Sequence, residues 1–402
     1  MAEIKKDTLE EGIIIKLVNG ILSEGISKKA SDILIEPLEN HILVRYKIDG
    51  VWTKGLELPK TVLLSLLTRI KVIANLNIAE RRLPQEGRFK LKLKERFVDF
   101  RVSIIPSFLG EKVSIRILDR SQLTLEIEKL GFSEEVMTML KNAVQKPHGM
   151  ILVTGPTGCG KTTTLYSLIN HVNKPEVNIT TTEDPVEYEI FGINQININP
   201  NINLTFANSL RAILRQDPDI IMVGEIRDSE TLDIAIKAAL TGHLVLSTFH
   251  SMDAPGAITR LINMGAEPFL ITSCIILIAS QRLVRVLCPE CKQPYEPNEK
   301  ILKSLSLPLT REYTFYKPRG CERCLQRGYI GRIGICEVLL FSPEIKESIL
   351  KQEPEAKIRI KAKKLGMKTL RQDGVEKIIN GLTSVEEVLR VTVGDQENGF
   401  VY

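Results

Sequence analysis

An excess of charge of one sign is missing from this chain. Its 402 residues carry 54 lysines and arginines against 49 aspartates and glutamates, a net charge of +5. That balance makes no case for a polyanion such as nucleic acid as the main partner. Aromatic residues are scarce at 5%, with one tryptophan, and no aromatic run suited to stacking on unpaired bases is present. No apolar run approaches the roughly 18 residues that span a bilayer. The longest candidate, residues 269–279, is interrupted by Thr272, Ser273 and Cys274 and reads as a buried helix. The start, Met1-Ala2-Glu3-Ile4-Lys5-Lys6-Asp7, lacks the apolar core of a secretory leader. These absences place the chain in the cytosol, where seven cysteines are expected to be reduced thiols or metal ligands rather than disulfides. Long repeats and low-complexity tracts are also missing.

What is present centres on Gly155-Pro156-Thr157-Gly158-Cys159-Gly160-Lys161-Thr162, a full match to G-x-x-x-x-G-K-[ST]. An apolar, β-branched strand precedes it (Met150-Ile151-Leu152-Val153-Thr154), and a helix opening on Thr162-Thr163-Thr164-Leu165 follows. Strand, glycine loop and helix form the cradle in which backbone N–H groups and a helix N-terminus meet phosphate oxygens. Lys161 is expected to reach the β- and γ-phosphates of ATP, and the Thr162 hydroxyl to ligate Mg²⁺.

The remaining pattern organises around that loop. Helical spacing over residues 7–30 precedes strands at residues 31–37 and 41–48, the latter turned by Asp49-Gly50. An amphipathic helix over 63–76 and strands over 88–102 and 112–118 complete an α+β domain at 1–120. After a linker at 121–145, strands at 178–182, 220–223 and 244–248 alternate with helices around 206–214 and 231–240. That alternation predicts a mainly parallel sheet covered by helices, with ligands at the carboxyl ends of its strands. The P-loop domain spans 146–284. A cysteine-bearing module with a return strand occupies 285–340, and residues 341–402 are helical. The basic stretch 357–371 reads as a solvated helix face. Ser384-Val385-Glu386-Glu387 reads as a capping box.

Hydrolysis needs a carboxylate that positions water and cations that meet charge on the transferring phosphoryl group. Thr182-Glu183-Asp184-Pro185-Val186-Glu187 and Gly224-Glu225 both follow predicted strands. Glu225 is assigned to Mg²⁺ or its water shell, and Glu187 to the attacking water, with Glu183 as second choice. His243 and His250 flank the next strand, where a histidine can sense the γ-phosphate. Arg211 and Arg215 are four apart on one expected helix and so share a face. Arg227 lies just past Glu225, and Arg101 and Arg116 lie on first-domain strands. Cys288-Pro289-Glu290-Cys291 and Cys321-Glu322-Arg323-Cys324 are each able to grip one edge of a tetrahedral Zn²⁺. Four thiolates leave no open position, so the site is structural. The 29 residues between the pairs exceed the usual short zinc ribbon. A redox dithiol would need a thioredoxin-like unit, which surrounds neither pair. Cys159, Cys274 and Cys336 are left over, and alkylation of Cys159 within the loop is expected to block nucleotide.

Taken together, these motifs resemble the secretion ATPases that drive type II secretion and type IV pilus assembly. The resemblance runs through Ala30-Ser31-Asp32-Ile33-Leu34-Ile35-Glu36-Pro37, where the family's usual histidine is Leu34. It continues through Arg69-Ile70-Lys71-Val72, Pro84-Gln85-Glu86-Gly87-Arg88, the acidic box at 183–187, the stretch 210–228 and the histidine box at 241–250. It implies an α/β fold with a RecA-like P-loop core, a small α+β domain before it, and a zinc-binding insert and helical C-terminal region after it. It implies a homohexameric ring in which ATP sits between the two domains of one subunit. Arg101 and Arg116 match first-domain arginines that reach the phosphates, and Arg211, Arg215, Arg227, Arg260 and Arg332 match further positions important in the family. The tetracysteine module resembles the secretion and pilus-extension branch. The ring would lie at the cytoplasmic face of the inner membrane, peripheral, moving a membrane platform protein. Longer members carry an extra N-terminal domain that docks on a membrane-anchored partner, whereas this sequence opens almost directly on the ring-forming part. Two other readings remain: a nucleic-acid translocase, including a DNA-uptake motor, on a similar core, and a nucleotide-regulated scaffold without turnover.

Overall fold

The computed structural model describes residues 2–93, 96–119 and 125–392, with side chains described over these except at 2–11 and 93. Residue 120 of the expected first domain, residues 121–124 of the expected linker and residues 393–402 of the C-terminal region lie outside the described residues. The chain divides into two compact units, Met1–Leu123 and Thr124–Tyr402.

In the first unit, helix α1 (Ala2–Ser27) leads into strands β1 (Asp32–Pro37), β2 (His41–Ile48) and β3 (Val51–Pro59). Asp49 and Gly50 both take positive φ, 52° and 83°, as a two-residue hairpin with type I′ twist requires. Helix α2 (Leu63–Ile73) separates this meander from a second one: β4 (Gln85–Leu93), β5 (Arg96–Ser107) and β6 (Gly110–Leu118). Pairing of β1 with β6 fuses the two into a six-stranded antiparallel sheet of order β3-β2-β1-β6-β5-β4. Strict alternation along β2 and β6 turns Val44, Tyr46, Ile115 and Ile117 inward, where Leu22, Leu66 and Ile70 from the helices close the core. The opposite face carries the polar residues.

The second unit opens with α3 (Glu134–Val144), capped by Ser133. Residues read as linker thus form a helix whose Val136, Leu140 and Val144 are buried against the P-loop side of the sheet. The order that follows is β7 (Gly149–Thr154), α4 (Lys161–Val172), β8 (Ile179–Glu183), β9 (Asn194–Asn197), α5 (Phe206–Ile213), β10 (Ile220–Val223), α6 (Ser229–Leu240), β11 (Leu244–Phe249), α7 (Ala254–Asn263), α8 (Pro268–Cys274) and β12 (Ile275–Leu287). A small hairpin, β13 (Gln293–Tyr295) and β14 (Phe315–Lys317), brackets α9 (Glu299–Ser304). Then come β15 (Tyr329–Leu340) and helices α10 (Pro343–Leu350), α11 (Glu355–Lys364), α12 (Leu370–Ile379) and α13 (Val385–Val391).

The central sheet has the order β15-β12-β7-β11-β10-β8-β9, parallel except for β15. It is a mixed, mostly parallel sheet covered by helices. Met150 and Leu152 of β7 face a core shared with α6, α7 and α8, while Ile151 and Val153 face the one shared with α3 and α4. Burial on both faces is why this strand is continuously apolar.

Three local expectations need correction. Residues 269–279 are not one helix: α8 ends at Cys274, and β-branched Ile275 starts β12, which is buried beside β7. The basic stretch 357–371 is split between α11 and α12, with Gly366 at φ 97° in the break. Ser384 caps α13, but the Glu387 carboxylate binds Arg285 and Arg390 instead of closing the box. The reciprocal box stands at Thr369 and Gln372, at the start of α12. Among the described residues no helix is long and apolar enough to cross a membrane.

Candidate active site

The phosphate loop owes its shape to three glycines at positive φ: Gly155 (146°), Gly158 (77°) and Gly160 (89°). At Gly155 space also forbids a side chain, because a Cβ there would lie 2.6 Å from both Cys159 Sγ and the Gln281 carbonyl. Gly158 has open space around it and needs glycine only for its backbone. Gly160 caps α4, so Lys161 is the first helical residue and Thr162 and Thr163 lie half-buried in the first turn. The Lys161 ammonium donates to the carbonyls of Gly155 at 2.8 Å and Pro156 at 3.1 Å. Burial pulls its pKa below the ordinary lysine value, while the charge of Glu225 acts in the opposite sense. Left-handed glycines, a helix N-terminus and an enclosed ammonium form a donor set that fits a nucleotide's phosphates.

Glu225 stands two residues past β10, with Gly224 between. A Cβ at Gly224 would lie 3.2 Å from the Thr182 carbonyl and 3.3 Å from the Glu183 Cα, which accounts for a glycine before the acid. The Glu225 carboxylate pairs with Arg227 at 2.5 Å and lies 3.6 Å from His250 Nε2. Burial and the nearby Lys161 hold the His250 pKa below the usual histidine value, although Glu225 opposes them. Arg260 of α7 donates to the His250 carbonyl, and its guanidinium lies over the Phe249 ring. Lys161, Glu225, Arg227, His250 and Arg260 thus gather at the carboxyl edge of the sheet.

Other expected residues sit differently. Glu183 is 2% exposed, and its carboxylate accepts from Tyr166 Oη, Thr181 Oγ1 (2.6 Å) and Gln195 Nε2 (3.1 Å). Burial outweighs those bonds and raises its pKa. It is bonded to α4, β8 and β9. Glu187 is half-buried, and its backbone N–H donates to the same Tyr166 hydroxyl at 3.3 Å. His243 is at the wrong edge. It precedes β11, whose Leu244 pairs with Gly149 and whose Phe249 pairs with Thr154, so it lies roughly 17 Å of strand from the phosphate edge. Its Nδ1 is 3.1 Å from the Ala238 carbonyl. Arg211 pairs with Glu230 on α6, but α5 ends at Ile213, so Arg215 lies beyond the helix and the shared face does not form. Arg332 is exposed on β15 opposite Arg285.

Cys159 contributes backbone to the loop, but its thiol is 4% exposed and tucked under Gly155. Burial raises its pKa. Limited access and a raised pKa both oppose the expected alkylation at Cys159.

In the first unit, Arg101 and Arg116 face each other across β5 and β6. Register extends the row to Arg88 on β4 and to Asp32 on β1, which pairs with Arg116 at 3.1 Å. Like charges directly opposite are unfavourable in a sheet. Three arginines in one such row suit an anion.

Sequence reasoning missed Gln281 and Arg282, which β12 brings beside the loop. Gln281 bonds the Cys159 carbonyl and the Thr164 hydroxyl. Arg282, 8% exposed, donates to the carbonyls of Gln281 and Met252. No local motif marks them, since strand order alone makes them neighbours of Gly155.

In the insert, the sulfurs of Cys288, Cys291, Cys321 and Cys324 all lie within 4.8 Å of one another. Three of the separations are 3.8, 3.9 and 3.7 Å. A tetrahedron with metal–sulfur bonds of about 2.3 Å has edges of about 3.8 Å. Backbone N–H groups of Gly320, Cys321 and Gly328 donate to Cys291 and Cys324 sulfurs at 3.1–3.3 Å, as thiolate acceptors favour. The donor set and its spacing fit zinc.

The model of the type II/IV secretion system protein family matches residues 7–390. The chain is 48% identical over 393 residues to the type IV pilus assembly ATPase PilB of Myxococcus xanthus, covering 96% of this chain and 69% of that protein. It is 49% identical over 388 residues to the type II secretion system protein E of Dickeya dadantii, covering 96% and 77%. Among solved structures, the ATPase DotB of Legionella pneumophila superposes with a TM-score of 0.68 at 20% identity, covering 93% of this chain and 95% of that one. The pilus retraction motor PilT with bound ADP gives 0.61 at 24%, covering 94% and 97%. At those identities the structures speak for the fold, which they share. The relatives and the match to nearly the whole length are decisive for kinship: the chain belongs to the type II/IV secretion system protein family.

Proposed function

We propose that this chain is a P-loop ATP hydrolase, the motor that powers assembly of a type II secretion pseudopilus or a type IV pilus. The observation that carries the reading is the convergence of the Lys161 ammonium, the Glu225 carboxylate and His250 at the mouth of a left-handed glycine loop. Lys161 binds the β- and γ-phosphates, and the loop N–H groups and the α4 N-terminus hold the rest of the chain of phosphates. Mg²⁺ accompanying ATP would be held by Thr162 and, directly or through water, by Glu225; it supplies positive charge to the phosphate oxygens. Glu187 orients the attacking water. His250, kept neutral by its surroundings, links Glu225 to the loop that Arg260 fixes. Arg101 and Arg116 meet the transferring phosphoryl group. The subunits act as a homohexamer at the cytoplasmic face of the inner membrane, with a platform protein as partner. Neither the balanced charge nor the relatives described above favours the nucleic-acid reading.

The test is steady-state phosphate release beside ATP binding for Glu225→Gln. Binding should survive while turnover falls on the order of 10²-fold, because a preorganised charge at the reacting centre is lost. Loss of binding, or wild-type turnover in the variant, would remove Glu225 from this role.

The four cysteines hold one structural Zn²⁺ per chain. A closed site contributes folding free energy locally, so Cys288→Ser should lower zinc content and expose residues 288–328 to protease before it affects ATP binding. Zinc-free wild type, purified without chelators, would contradict this, as would unchanged zinc in the variant.

A further inference from the structure

Gln281 on β12 is 2% exposed, and its amide makes one hydrogen bond to the phosphate loop and one to the first turn of α4. Nε2 donates to the Cys159 carbonyl at 2.8 Å, and Oε1 accepts from Thr164 Oγ1 at 2.9 Å. The amide can face only this way, because a carbonyl accepts and cannot donate. A trans peptide is planar, with its C=O and N–H on opposite edges. A bond that draws the Cys159 carbonyl toward β12 therefore turns the Gly160 N–H away from β12. The approach is close: a Cβ at Gly160 would lie 3.3 Å from Gln281 Nε2. Thr164 belongs to the first turn of α4, the helix that starts with Lys161. One side chain thus fixes the loop backbone and the start of that helix relative to each other. The strand beneath is itself pinned, since Arg282 donates to the Gln281 carbonyl at 2.9 Å and Gly155 packs on the same oxygen.

We propose that Gln281 is a positioning residue for nucleotide: it sets the 159–160 peptide so that the Gly160 N–H is aimed at a phosphate oxygen before ATP arrives. The proposal rests on the reading of the loop as an ATP site. It gives a function to a residue far from every nucleotide-binding motif in the sequence.

The experiment measures affinity for a fluorescent ATP analogue on the full-length chain, for wild type, Gln281→Met and Gln281→Glu. Gln281→Met keeps the volume and removes both bonds, so the dissociation constant should rise about tenfold. A merely structural role would lower the melting temperature and leave the affinity of the folded protein unchanged. Gln281→Glu adds a second readout. Its carboxylate, when ionised, repels the Cys159 carbonyl, and when protonated it donates to it. Burial raises a carboxyl pKa, so the affinity deficit relative to wild type should shrink as pH falls from roughly 8 to 6. A folded Gln281→Met protein that binds like wild type would overturn the proposal, as would a Gln281→Glu deficit indifferent to pH. If Gln281→Met does not fold, the pH profile decides. Wild type failing to bind the analogue would remove the ATP reading itself, a different failure.

Discussion

Lys161→Ala should abolish measurable turnover, a loss on the order of 10³-fold, since removing one preorganised electrostatic contact to a transition state costs that much. Lys161 is 9% exposed, its ammonium lies between the Gly155 and Pro156 carbonyls, and Glu225 lies within its field. Nothing else in the loop supplies a full positive charge. The backbone N–H groups contribute partial charges only, and they remain in the variant. Binding should therefore weaken less than turnover falls. Phosphate release and analogue binding, measured on the same preparation, separate the two effects. Equal losses in both would mean that Lys161 serves binding alone. A rate near wild type would mean that the reaction occurs elsewhere.

Arg101→Ala and Arg116→Ala should each lower turnover by on the order of 10³-fold while ATP binding persists, the range for an arginine that meets the transferring phosphoryl group. Both residues lie in the first unit, and the phosphate loop lies in the second. Their placement opposite each other, in a row with Arg88, concentrates positive charge on the polar face of the sheet. Asp32 pairs with Arg116 at one end of that row. If the two arginines act on the transferring phosphoryl group and not on the bound ground state, the variants should alter kcat far more than KM. Unchanged kcat in both would remove the first unit from the chemistry. The Arg116→Ala variant also removes the ion-pair partner of Asp32, and Arg116→Lys, which keeps the charge but loses the forked geometry, should recover only part of the rate.

The phosphate loop was legible because its eight residues are contiguous and the glycines announce their own backbone. Glu225 was legible because it follows a short apolar strand. What the sequence hid was everything set by strand order. Gln281 reaches the loop from 122 residues away only because β12 lies beside β7. The edge location of His243 was available in principle: in a parallel sheet, a residue before a strand lies at the opposite end from one after the neighbouring strand. Proximity to His250 in sequence masked that polarity. Glu183 illustrates another limit, since three donors from α4, β8 and β9 close on it and no motif records them. The end of α5 two residues before Arg215 depends on a single turn of helix, the least legible feature of all.

The measurement that tests the account most directly is the ATPase rate per chain against protein concentration, with light scattering on the same samples. If hydrolysis depends on assembly into a ring, specific activity should rise as hexamers form and saturate when assembly does. Arg101→Ala and Arg116→Ala should assemble equally well and stay slow throughout. A rate per chain that is independent of concentration, from a confirmed monomer and unaffected by either substitution, would contradict the ring motor and leave a simple nucleotide hydrolase.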